Sequence, residues 1–176
     1  MKFLLFLALL AGGLAMLIAP HYSKGVEDSL AEEAAAIVKM IATTNRMYSL
    51  DFQKQWTNGP VDNNCNNGEC TARQQGGPHA GCNLVACNYL AKQDWDGKKF
   101  NFYALDPTAA AAATNPCGSF PASKPWIACA VRKTTSDGDP QAPKFSAGWA
   151  YAVSADGTLF QSLQLAGSEP TPDPPR

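Results

Sequence analysis

Six cysteines and one histidine are the residues of this chain best placed to do chemistry. Four residues separate Cys65 from Cys70, the same number separates Cys82 from Cys87, and His79 falls between the two pairs. Four thiolates and an imidazole would more than satisfy a tetrahedral zinc ion. The alternative is a pair of disulfides in an exported loop, and the pattern favours it. The spacing is not that of a two-residue zinc knuckle, and an even set of cysteines, completed by Cys117 and Cys129, reads as a disulfide framework built in an oxidising compartment. Cys117 with Cys129 is the expected bridge, since it would tether the loop before a strand to that strand. The other four are expected to pair among themselves, in an order that spacing leaves open. Neither a metal nor another cofactor is expected.

Other reactive types are scattered. His21 stands at the end of an apolar run, and Asp94, Asp96 and Asp106 fall in turn-forming contexts without the regular acidic spacing of a calcium loop. No phosphate loop, HExxH, GxSxG or CxxCH occurs. Trp56, Trp95, Trp126 and Trp149 could line a ligand platform, but core packing is the default for such residues. An enzyme is not expected.

The elements that position these residues begin with composition. The chain has 176 residues, a net charge of −1 and only 16% charged residues. That length suits one domain with an appendage, and without a basic face nucleic acid is not an expected partner. Positions 1–20 are read as an apolar transmembrane or filament-core helix segment. Lys2 is followed by an uncharged run that includes Phe3, Leu4, Leu5, Phe6, Leu7, Leu9, Leu10, Leu14, Met16, Leu17 and Ile18. Its length lies at the short edge of the roughly 20 residues that cross a bilayer core. A cleaved signal peptide is the competing reading, but retention is expected. Gly12, Gly13 and Pro20 are the expected points of helix flexibility, because Gly costs about 1 and Pro about 3 kcal/mol relative to Ala within a helix.

Positions 21–56 read as an amphipathic spine, with no Gly or Pro from Val26 to Asn58. Val26, Leu30, Ala34, Ile37, Ile41, Thr44 and Tyr48 recur in steps of three and four, which places them on one face. Val26, Leu30, Ile37, Ile41 and Tyr48 are therefore expected to pack against the head. Continuous with the first segment, the helix would be about 70 Å long at 1.5 Å per residue. Trp56 to Pro60 supplies the expected stop.

Positions 57–168 form the expected head. Val61 to Ala86 is rich in Asn, Gly, Gln and Cys without periodicity and reads as an extended loop. Lys98 to Leu105 alternates as a half-buried strand, and Trp126 to Lys133 reads as a second. Gly148 to Ser154 and Thr158 to Gln161 flank Asp156-Gly157 as a hairpin. Positions 169–176, EPTPDPPR, are expected to be a flexible tail.

An apolar start, Pro20-His21-Tyr22, then Ile37, Ile41 and Met47-Tyr48 resemble the N-terminal helix of a type IV pilin or pseudopilin. Asn88-Tyr89-Leu90-Ala91, Asp94-Trp95, Phe100-Asn101-Phe102-Tyr103, Ile127 to Lys133, Trp149-Ala150-Tyr151 and Asp156-Gly157 are similar to the head of such proteins. Where the family carries a glutamate near its mature N-terminus, positions 3–10 are apolar, and the first acidic residue is Glu27. The resemblance implies an α+β fold with a long N-terminal helix, membrane half plus amphipathic half, packed against a three- to four-stranded antiparallel sheet. It also implies a structural subunit of a bacterial envelope filament. Such a subunit is anchored in the inner membrane before assembly and then partnered by copies of itself and by the assembly machinery. A membrane-tethered or secreted binding module that never polymerises is the other expectation.

Overall fold

The computed structural model describes the backbone of residues 2–71, 79–108, 116–118, 120–121, 124–134, 137 and 150–161. It describes side chains at 26 and, within those ranges, from 28 onward except 79. One helix, α1 (Lys2–Asp51), is followed by strand β1 (Thr57–Val61), a 3-10 turn (Asn63–Asn67) and strand β2 (His79–Ala80). A single helical turn, α2 (Asn83–Ala86), leads on to strands β3 (Phe100–Ala104), β4 (Trp126–Arg132), β5 (Ala150–Ser154) and β6 (Leu159–Gln161). The sheet order is β2-β1-β3-β4-β5-β6, antiparallel throughout except for the short parallel β1–β2 pair.

Small residues bring the helix and the sheet together. Ala31, Ala34, Val38, Ile41, Ala42 and Tyr48 are buried on one side of α1, where they meet Phe100, Phe102, Ala104, Ala128, Ala130, Tyr151 and Val153 of the sheet. Each large apolar side chain buried there contributes about 1.5–3 kcal/mol. Two polar contacts fasten the helix on its flanks: Lys98 Nζ meets Glu33 Oε1 at 2.6 Å, and an Arg46 guanidinium nitrogen donates to the Ala155 carbonyl at 2.7 Å. The opposite face of the sheet is also covered. Cys117, Phe120 and Leu105 lie with Trp126, Cys129, Ala152 and Phe160 in a second apolar cluster. Both faces being occupied, β5 is buried along its whole length.

The register slips between Trp126 and Ala128, so Ile127 and Ala128 both join the helix-side cluster while Trp126 turns to the other. At the far end, Gly157 takes φ 89° in the hairpin between β5 and β6, the conformation that Asp-Gly predicts.

Two parts of the expected fold are corrected. Five antiparallel strands with a two-residue parallel edge replace the three- to four-stranded sheet. The addition within the head is β1, whose sequence TNGPV reads as a helix stop. Pro60 is tolerated there because the pairing of β2 reaches only Thr57 and Asn58, so Pro60 lies beyond the paired part of that edge. Gly59 adopts φ 125°, open to glycine, and a side chain at Gly81 would press to 2.5 Å from the Gly59 carbonyl oxygen. In addition, no helix among the described residues is long and apolar enough to cross a membrane. The described side chains of α1 include Glu32, Glu33, Lys39 and Arg46, so the expected membrane half has no counterpart in them.

The helix also stops earlier than expected. Gln53 and Lys54 take φ 55° and 67°, and the Lys54 N–H returns to the Ser49 carbonyl at 2.7 Å, closing the last turn without a glycine. The backbone of α1 runs through Gly12, Gly13 and Pro20. The side chains there, and those of Phe3, Leu4, Leu5, Phe6, Leu7, Leu9, Leu10, Leu14, Met16, Leu17 and Ile18, lie outside the described residues, as does the 169–176 tail.

Candidate functional site

The segment after β1, expected to be an extended loop, is a small lobe held by two disulfides, Cys65–Cys82 and Cys70–Cys87. A third, Cys117–Cys129, pins the outer cover to β4 and is the bridge expected to tether the loop before that strand. The chain path explains the first pair. The Asp62 carboxylate accepts from the Asn64 N–H at 2.9 Å and starts the 3-10 turn that carries Cys65. The close approach of Gly81 to β1 sets Cys82 beside it. No cysteine is free. Asp62 lies within 4.8 Å of the Cys65 and Cys82 sulfurs, but a disulfide offers no thiolate, so this group does not have the donors of a zinc site. The backbone of His79 forms β2; its side chain lies outside the described residues.

Asparagine explains how the lobe is docked. Asn63 Nδ2 donates to Asp94 Oδ1 at 3.0 Å, and Asn63 Oδ1 accepts from the Trp95 N–H at 2.7 Å. Asn66 Nδ2 donates to the Gln93 carbonyl at 2.8 Å. On the other flank Asn83 Oδ1 accepts from the Thr71 N–H and hydroxyl, while Asn83 Nδ2 donates to the Tyr48 hydroxyl at 3.3 Å. The Asp94 carboxyl also accepts from the Gly97 N–H, and the Asn63 amide, followed by that N–H, lowers its pKa. Asp106 similarly accepts from the Thr108 N–H and hydroxyl. These carboxylates shape turns.

Beside the lobe is a pocket of about 230 Å³, lined among others by Asp62, Trp95, Asp96, Asn101 and Tyr103. It falls below the roughly 300–1,000 Å³ of ordinary small-molecule sites. Trp95 is buried and its indole N–H has no acceptor among the described residues. Desolvation, then the carboxylates of Asp137 and Asp62, raise the Tyr103 pKa.

The residues expected to pack α1 on the head divide. Ile37, Ile41 and Tyr48 are buried and Leu30 is partly so, but Val26 is 41% exposed. Its place in the stripe is upstream of Ala31, where the buried positions begin. The side of α1 turned away from the sheet carries exposed Met40, Met47 and Leu50.

Sequence reasoning missed a buried side chain that joins the helix to three strands' ends. Asn45 Nδ2 reaches the carbonyls of Leu105 at 3.0 Å, Ile127 at 2.9 Å and Thr57 at 3.3 Å. Asn45 Oδ1 accepts from the Thr57 N–H at 3.0 Å and its hydroxyl at 2.9 Å. One amide thus ties the helix to β1, the end of β3 and the register slip in β4. The available signal was a polar residue in line with Ala31, Ala34, Val38, Ile41 and Tyr48.

The chain matches no family model, no curated protein and no solved structure.

Proposed function

We propose that this chain is a non-enzymatic structural subunit of an envelope filament of the type IV pilus or secretion-pseudopilus kind, self-assembling through its long N-terminal helix. The observation that carries this reading is the mismatch between helix and head. The helix has 50 residues, about 75 Å at 1.5 Å each, while among its described side chains, which begin at Val26, the buried ones run from Ala31 to Ser49. A head of this size does not require the preceding turns, whose sequence is apolar from Phe3 to Ala19. Lateral packing against copies of the same helix would bury them. Three disulfides and no free cysteine suit a head working outside the cytoplasm.

The test is mechanical shearing of cells that make the protein, followed by electron microscopy with antibody against the head. Filaments labelled along their length and released by shear are the expected result. Protein confined to an unsheared fraction, without filaments, would instead identify a tethered binding module that never polymerises.

A further inference from the structure

We propose that the pocket beside the disulfide-held lobe binds one ring of a neutral sugar. The pairing of β1 with β3 ends at Val61 and Phe102. Beyond it, Asn63 Oδ1 of the lobe accepts from the N–H groups of Trp95 at 2.7 Å and Asp96 at 3.4 Å. The turn held in this way and the end of the strand pair border the cavity of about 230 Å³. Along β3, Asn101 and Tyr103 alternate with the buried Phe100 and Phe102 and are themselves only half-buried.

The wall of this pocket carries polar groups that the fold leaves unspent. Trp95 is 2% exposed, and its indole N–H lacks an acceptor among the described residues. The Asn101 amide and the Tyr103 hydroxyl also make no hydrogen bond there. The Asp62 carboxylate accepts from the Asn64 N–H at 2.9 Å, and Asp96 Oδ1 from the Asn63 N–H at 3.4 Å. Those bonds orient both carboxylates and leave further lone pairs on each. An indole N–H only donates and a carboxylate only accepts, so a ligand that answers both must accept and donate. An ammonium ion would serve Asp62 and Asp96 and leave the indole without an acceptor. An anion would accept from the indole and meet two carboxylates. Hydroxyl groups do both without charge, and a sugar ring carries several of them around apolar C–H edges that suit Val61 and Phe102. Size agrees: at about 30 Å³ per water, the cavity has room for about eight waters, which suits one ring better than a drug-sized ligand. Its described lining belongs to the head, so this site does not depend on self-assembly.

The test is saturation-transfer NMR on the full chain with glucose, galactose, mannose and N-acetylglucosamine, each as the free sugar and as its methyl glycoside. Saturable transfer to at least one of them is expected, with a Kd on the order of 1 mM for a ligand of about a dozen non-hydrogen atoms. Asn101→Ala and Tyr103→Phe should each weaken binding about 5-fold. The circular dichroism melt should stay unchanged in both, because neither group bonds within the head. Trp95→Phe, which keeps a ring and loses the N–H, should weaken binding by at least about the same factor. The exposed Lys92, outside the pocket, is the control, and Lys92→Ala should change neither binding nor melt. Equal binding of a sugar and its glycoside would assign the pocket to the end of a glycan, and binding of the free form alone to a free sugar. No saturable transfer to any of these sugars would overturn the proposal. So would binding indifferent to Asn101→Ala and Tyr103→Phe, or saturable binding of tetramethylammonium in place of the sugars.

Discussion

Replacing Asn45 with Ala should destabilise the head more than any other single truncation of a polar side chain on α1. The amide serves five partners, and some of the loss is cushioned: the Ile127 carbonyl also accepts from the Leu105 N–H at 3.0 Å. The Thr57 N–H and the Leu105 carbonyl are the two groups counted as losing their partner. Each buried group so orphaned costs about 1–3 kcal/mol, about 4 in sum. Alanine returns about 0.6 kcal/mol through its better helix propensity, leaving a net loss of about 3 kcal/mol. Against a typical domain stability of about 5–15 kcal/mol, that is a large fraction. Urea unfolding with the disulfides intact measures it. With a slope of about 2 kcal/mol per molar the midpoint should fall by about 1.5 M. Thr43→Ala is the control, because the exposed Thr43 hydroxyl only bonds back to the Lys39 carbonyl; its change should stay within about 0.5 kcal/mol. An Asn45→Ala loss below about 1 kcal/mol would refute the idea that this amide ties helix to sheet.

Two further outcomes are expected. The hydrogen bond to Asp51, then burial and the charge of Asp51, push the Tyr89 phenol up to about 12. Its contribution to stability should therefore be complete below the ordinary value of 10 and disappear as pH rises from 10 to about 12. Ultraviolet titration should show a late-ionising tyrosine component that shrinks by one residue in Asp51→Asn. Of the three bridges, Cys70–Cys87 joins an exposed to a half-buried residue, whereas Cys65, Cys117 and Cys129 are buried. Brief treatment with a mild reductant and an alkylating agent should modify Cys70 and Cys87 first, read by peptide mass mapping; equal labelling of all six would contradict that order.

What local sequence determined is what local physics governs. The three- and four-residue steps from Leu30 to Tyr48 are enough to make a helix and orient its apolar side, because that periodicity belongs to the helix itself. Asp156-Gly157 makes its turn, and Phe100 and Phe102 share a face, for equally short-range reasons. The even cysteine set anticipates that all six pair in bridges. The tertiary structure alone decided that TNGPV is a strand, since β3 supplies hydrogen-bond partners that outweigh the poor intrinsic preference of Gly and Pro. Long-range packing likewise decided that Cys65 meets Cys82 and Cys70 meets Cys87, because the sheet edge brings two stretches together that share no local signal. Asn45 became the interior tie, and Val26 was left outside, only once the extent of the sheet was set. A period along the chain tells which side of a helix is apolar, but where its cover ends is a property of the residues that fold against it.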